Sequence, residues 1–123
     1  MLFRSGNTLR WDLLGLWKGI LAGMRRAHAA HGDRVHSIGV DTWALDYVLL
    51  DAHGEWLGLP YCYRDVRTRG LVEELCNRFP RAEIFAETGL QFMEINTLVQ
   101  LFAMRRENPR LLEQARSLLL IPD

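Results

Sequence analysis

Residues 37–51 read SIGVDTWALDYVLLD. An apolar, strand-like run is broken by Asp41, Thr42, Trp43 and Asp46 before an apolar run resumes. In open α/β sheets, ligands bind beyond the carboxyl ends of strands, where side chains are free of the ladder. Asp41, Thr42 and Trp43 would sit at such an end, and Asp46 would return close to it. Carboxylates accept hydrogen bonds from hydroxyls, and an indole offers a flat apolar face to C–H bonds. Together they have the composition of a polyol site. The plainer reading of the same residues is that Asp41 caps a turn, Trp43 fills core and Asp46 is solvated.

Two further stretches carry polar groups in patterns that could do chemistry. In YCYRDVRTRG (61–70), Asp65 lies among Arg64, Arg67 and Arg69. A carboxylate between guanidiniums can form a bidentate pair that orders a binding loop, or belong to a surface ion-pair network. In TGLQFMEINTLVQL (88–101), Gln91, Glu94 and Asn96 flank Phe92 and Ile95, and Asn96 reads as the N-cap of a helix. Other templates fail. No GxGxxG, GxxxxGK[ST] or HExxH is present, and no GxSxG. His28, His31, His36 and His53 have no ligand spacing. Cys62 and Cys76 do not form a CxxC pair, which fits reduced, incidental thiols.

The elements that must position these groups can be read from periodicity. Asp12 caps a helix in which Leu13, Leu14, Trp17, Leu21, Met24 and His28 recur, and Gly32 ends it. Gly15, Gly19 and Gly23 form a stripe that would admit close packing. VHSIGV (35–40) reads as a buried strand, YVLLD as a second and EWLGLP as a third. Asp51 and Gly54 would turn the last two into a hairpin over 47–59. Helices are expected from Thr68 to Pro80, over AEIFAETG, from Asn96 or Thr97, and from Pro109 to Arg116. SLLLIPD reads as a final strand with no successor.

The chain has 123 residues and a formal net charge of zero; 49% of its residues are hydrophobic and 24% charged. That suits one domain with a moderate core. The scattered arginines mark neither a nucleic-acid nor an anionic-membrane surface. With no apolar span of membrane length and no signal-like h-region, a cytoplasmic location is expected.

The motifs SIGVDTWALDYVLLD, GEWLGLPYCYRDVRT, TGLQFMEINTLVQLFAM and LLLIPD, in this order and at these separations, resemble the N-terminal domain of the FGGY carbohydrate kinases. RWD (10–12) resembles the segment before that domain's first helix, and the DTW form is the one of the rhamnulokinase-like branch. The resemblance covers nearly the whole chain. It implies a partial ribonuclease-H-like fold of the actin and hexokinase type, an α/β mixed sheet with flanking helices. It also implies an intact enzyme that uses ATP and Mg to phosphorylate a sugar, expected at the C1 hydroxyl of L-rhamnulose or a related ketose. By resemblance the position of Ala44 contacts sugar through its backbone, in a wall with Trp43, Asp46 and Asn96. Alanine stands there in place of the usual glycine, and Ile95 in place of a frequent aromatic.

The resemblance also sets expectations about extent. The family's first strand and its DxGxxSGR phosphate loop would precede Met1. The catalytic aspartate and second domain would follow Asp123. Residues 1–123 are therefore expected to be a fragment of the N-terminal domain, with no catalytic, nucleotide or metal residue of its own, and inactive alone. Without its partner strand, VHSIGV would leave an open edge through which the chain could self-associate. Two alternatives stand beside the kinase: a non-catalytic sugar-binding or assembly domain derived from one, and a non-functional truncated remnant.

Overall fold

The computed structural model describes residues 2–123. Its helices fall close to where the periodicity puts them. The N-terminal residues form a hairpin, β1 (Leu2–Ser5) and β2 (Thr8–Trp11), with Leu2 opposite Trp11 and Ser5 opposite Thr8. Gly6, at a φ of +58°, supplies the left-handed turn residue between them. α1 (Leu13–His31) follows at once. Asp12 caps it, Oδ1 accepting from the Gly15 amide at 2.8 Å, and Gly32 ends it with a φ of +54°. Both were expected from the side-chain types.

The second sheet pairs β3 (Tyr47–Leu50) with β4 (Ser117–Leu120) in antiparallel register, Tyr47 opposite Leu120. The last strand thus has a partner 70 residues earlier in the chain, which periodicity could not supply. Between them lie α2 (Leu71–Arg78), α3 (Arg81–Thr88), α4 (Thr97–Glu107) and α5 (Pro109–Gln114). α4 is shared by two apolar clusters. Its Val99 and Ala103 pack with Leu71 and Leu75 of α2, and its Met104 packs with Tyr47 and Leu49 of β3. Burying a side chain of this size is worth about 1.5–3 kcal/mol, so α4 ties β3 to the helical layer.

Three expectations need correction. VHSIGV is not a strand: residues 35–40 are irregular and exposed, with Ile38 at 60% and Val40 at 62%. A strand needs a ladder, and no described residue pairs with this one. EWLGLP returns only as a bridge, Trp56 opposite Leu50, although the turn forms as read. Asp51 Oδ1 accepts from the amides of His53 and Glu55, which holds its carboxyl below the ordinary range, and Gly54 takes a φ of +80°. Lastly, the glycine stripe is packed at one end only: Gly15 is buried, but Gly19 and Gly23 are not closely approached. A Cβ placed at Gly19 or Gly23 would meet nothing within 4 Å.

The cysteines are both free. Cys62 is buried, and burial raises its thiol pKa. Since the thiolate is the reactive form, Cys76 is expected to react first with a disulfide reagent at neutral pH. Cys62 should react roughly 100-fold more slowly, as protection by about 3 kcal/mol of opening free energy would give. Timed labelling of the Cys76→Ser and Cys62→Ser variants measures each rate; equal rates would show the segment around Cys62 to be open.

Candidate functional site

The turn between Asp41 and β3 is the part of the molecule with the densest polar support. At its centre Asp46 enters β3 fully buried, at 0% exposure. Its Oδ2 accepts from Trp11 Nε1 at 2.5 Å, Trp43 Nε1 at 3.0 Å and the Tyr63 amide at 3.1 Å. Its Oδ1 accepts from Gln100 Nε2 at 2.8 Å. Four donors from four parts of the chain therefore surround it, three crowded on Oδ2, which has two lone pairs, and one on Oδ1. The indole donors bring two rings together: Trp11 and Trp43 have centroids 4.2 Å apart at an interplanar angle of 34°. An aromatic pair is worth about 0.5–1.5 kcal/mol beyond its burial.

Trp43 also borders a hollow of about 290 Å³, whose lining includes Trp17, Val40, Asp41 and Thr42. The Thr42 hydroxyl is buried there without a hydrogen-bond partner among the described residues. Ala44 is exposed on the turn. The next carbonyl, Leu45 O, accepts from Thr97 Oγ1 at 2.8 Å and Gln100 Nε2 at 3.2 Å. The start of α4 is thereby bonded to the backbone beside Ala44. Asn96 stands at the N-cap position of α4, as read from sequence, and its carbonyl accepts from the Gln100 amide. Its side chain caps nothing; Nδ2 donates instead to Gln91 O. Trp43, Ala44 and Asp46 thus share one turn, and Thr97 links that turn to Asn96.

Behind this turn lies the arginine-rich stretch. Asp65 makes no bidentate pair with its neighbours. Oδ2 accepts from the Leu9 amide and Oδ1 from the Arg67 amide at 2.9 Å, so it joins β2 to the start of the helical layer. Arg67 is buried, donating Nη2 to Gln100 Oε1 at 3.3 Å and lying 3.7 Å from the centre of the Tyr61 ring. Arg10 lies 3.3 Å from the same ring centre. Burial lowers the Arg10 pKa, an effect opposed by the Tyr61 hydroxyl. Two guanidiniums on one aromatic ring gain cation–π attraction that partly offsets their mutual repulsion. Burial also raises the Tyr47 pKa, against the nearby Arg67.

Sequence reasoning singled out neither Trp11 nor Gln100 for this site. Gln100 left a signal, since it is the polar residue within the apolar start of α4. Trp11 left none beyond its type, because only the tertiary fold brings β2 to the turn. Among the described residues, no group of three or more His, Cys, Asp or Glu side chains could hold a metal ion. None of their helices is long and apolar enough to cross a membrane.

Comparison with known proteins bears on this arrangement. The model of the N-terminal domain of the FGGY family of carbohydrate kinases matches residues 2–123. Rhamnulokinase of Mannheimia succiniciproducens is 45% identical over 113 residues, covering 92% of this chain and 23% of that protein. Rhamnulokinase of Pectobacterium atrosepticum is 43% identical over 127 residues, covering 98% and 25%. The chain thus spans about a quarter of the length of these curated relatives. Two solved structures share its fold. A xyloylose kinase from Brucella ovis superposes with a TM-score of 0.81 at 21% identity, over 100% of this chain and 26% of the other. A gluconate kinase from Lactobacillus acidophilus does so at 0.83 and 13%, over 97% and 24%. With its α/β fold shared by sugar kinases and the family model matched from residue 2 to its last residue, the chain belongs to the FGGY family of carbohydrate kinases, in the part that forms their N-terminal domain.

Proposed function

We propose that this chain forms one wall of the sugar site of an ATP-dependent kinase whose substrate is a ketose, L-rhamnulose, phosphorylated at its C1 hydroxyl. The observation that carries the reading is the turn itself. Ala44 is exposed at a point where Trp43 and Asp46 on one side, and Leu45 O on the other, are all tied to the interior. A backbone group held this way meets a sugar hydroxyl without first losing conformational freedom. Trp43 supplies the apolar face for the sugar's C–H bonds. In this reading Asp46 touches no hydroxyl, because it is fully buried and both its oxygens face donors within the chain. It holds the wall, and Asn96 lies at the wall's edge. The curated relatives named above are rhamnulokinases, which supports the choice of ketose.

ATP and Mg enter only through the family. The described residues do not form a cluster that fits the metal, and no phosphate-cradling motif is present in the sequence. Phosphoryl transfer, which needs both, is assigned to none of these residues. The 123-residue chain by itself is expected to release no ADP.

The test is an exchange. The matched segment of the Mannheimia succiniciproducens protein is replaced by this chain, and ADP release is followed with L-rhamnulose. Ketose-dependent turnover is expected. Trp43→Ala in the same hybrid should raise KM for the ketose about tenfold or more and leave KM for ATP within about twofold, since only one substrate loses contact. Equal changes in both would point to a folding defect. Turnover with another ketose but not with L-rhamnulose would overturn the choice of sugar.

A further inference from the structure

Gln100 makes more connections to the turn than any other side chain described above except Asp46. It is 1% exposed and sits on α4. Its Nε2 faces three acceptors: Asp46 Oδ1 at 2.8 Å, Ile95 O at 3.0 Å and Leu45 O at 3.2 Å. Its Oε1 faces one donor, Arg67 Nη2, at 3.3 Å. A flipped amide would set an oxygen against three oxygens and an NH₂ against a guanidinium, so this surrounding admits one orientation. No simple substitute fits it. A glutamate cannot donate to Asp46, a methionine offers no donor, and an asparagine is one methylene short.

What Gln100 joins is also specific. On one side it touches the residues that follow Ala44, at the Leu45 carbonyl and the Asp46 carboxylate. On the other it touches Arg67, whose guanidinium lies on Tyr61 and whose Nε and Nη1 have no partner among the described residues. The Leu45 carbonyl has a second donor in Thr97, so losing Gln100 would leave it satisfied. Asp46 Oδ1 has no other donor among the hydrogen bonds described here.

We infer that Gln100 is a positioning residue for the sugar wall: through Asp46 it fixes the Trp11–Trp43 pair, and through Leu45 it fixes the backbone at Ala44. The ketose-binding part of this rests on the function proposed above; the geometric part does not. Loss of Gln100 loosens the carboxylate on its Oδ1 side. The indole N–H groups then follow a carboxylate that can rotate, and the stacked pair loses its fixed angle. Thr97 supplies the control, because it holds the same carbonyl but does not touch Asp46.

The experiment uses the full 123-residue chain as wild type, Gln100→Met and Thr97→Val. Near-ultraviolet circular dichroism reads the asymmetric environment of the four tryptophans, to which the exposed Trp17 and Trp56 contribute less than the stacked Trp11–Trp43 pair. Far-ultraviolet circular dichroism reads whether the fold is kept. KM for L-rhamnulose of the exchange hybrid proposed above, carrying each variant in turn, reads the wall. Gln100→Met is expected to lose at least about half of the near-ultraviolet tryptophan signal with helix content unchanged, and to raise the hybrid's KM for the ketose about tenfold. Thr97→Val should keep the tryptophan signal. A Gln100→Met chain with the wild-type near-ultraviolet spectrum overturns the inference. So does an equal loss in Thr97→Val, which would make the effect a general loosening of α4. If Gln100→Met fails to fold, Gln100→Glu is read across pH instead. Its carboxyl can donate to Asp46 only when protonated, so the tryptophan signal should rise as pH falls, and a flat profile overturns the inference. If the hybrid shows no turnover of L-rhamnulose while the tryptophan signal of the chain behaves as expected, the substrate reading fails and the positioning role stands.

Discussion

Asp46→Ala is expected to lower the unfolding free energy by roughly 3–5 kcal/mol, the range seen when one partner of a buried charged interaction is removed. The reason is the number of donors left behind. Trp11 Nε1, Trp43 Nε1, the Tyr63 amide and Gln100 Nε2 all point at this carboxylate. Each buried donor left without an acceptor costs about 1–3 kcal/mol. Gln100 Nε2 keeps the Ile95 and Leu45 carbonyls, and water entering the space would recover part of the rest, so the sum stays below three full penalties. Against a total stability of about 5–15 kcal/mol for an ordinary domain, the variant is near the limit of folding. Asp46→Asn should lose less, because it keeps one oxygen acceptor but sets an NH₂ among donors. Urea unfolding followed by tryptophan fluorescence gives the three stabilities. An Asp46→Ala chain as stable as wild type would show that the four contacts are not formed together in solution.

The second large effect is association of the chain with itself. Trp17 and Met24 of α1 are exposed beside the exposed Val35, Ile38 and Val40. Between α1 and residues 35–41 lies a mostly apolar hollow of about 880 Å³. Apolar surface of this extent draws partners. The irregular segment beside it adds backbone donors and acceptors that are outside any ladder among the described residues, and such unpaired groups can pair with another chain. Light scattering during size-exclusion chromatography is therefore expected to give an apparent mass that rises with concentration, to at least about twice that of one chain. The double variant Ile38→Lys/Val40→Lys, which sets two charges on that segment, should return the mass toward 14.2 kDa. A wild-type chain that stays at 14.2 kDa across the concentration range would place the cover of this face within the molecule.

The sequence by itself determined what depends on near neighbours. Asp12 and Gly32 bound α1 because a capping carboxylate and a left-handed C-terminus are satisfied within one turn. Asp51 and Gly54 made their turn for the same reason. The ordered motifs around Asp41–Asp46 and Asn96 were enough to indicate the family, and the family model agrees. Tertiary structure decided whatever needed a distant partner. VHSIGV has the side chains of a strand, yet a strand is a pairing, and no described residue pairs with it. SLLLIPD has the same kind of side chains and is a strand, because β3 lies beside it. Asp46 could be read as a hydroxyl ligand or a solvated carboxylate, since either fits a polar residue at a strand entrance. Trp11, 35 residues earlier, and Gln100, 54 residues later, turn it inward and donate to it. A side chain's type limits which hydrogen bonds it can make, but the fold determines which groups come within 3 Å to make them.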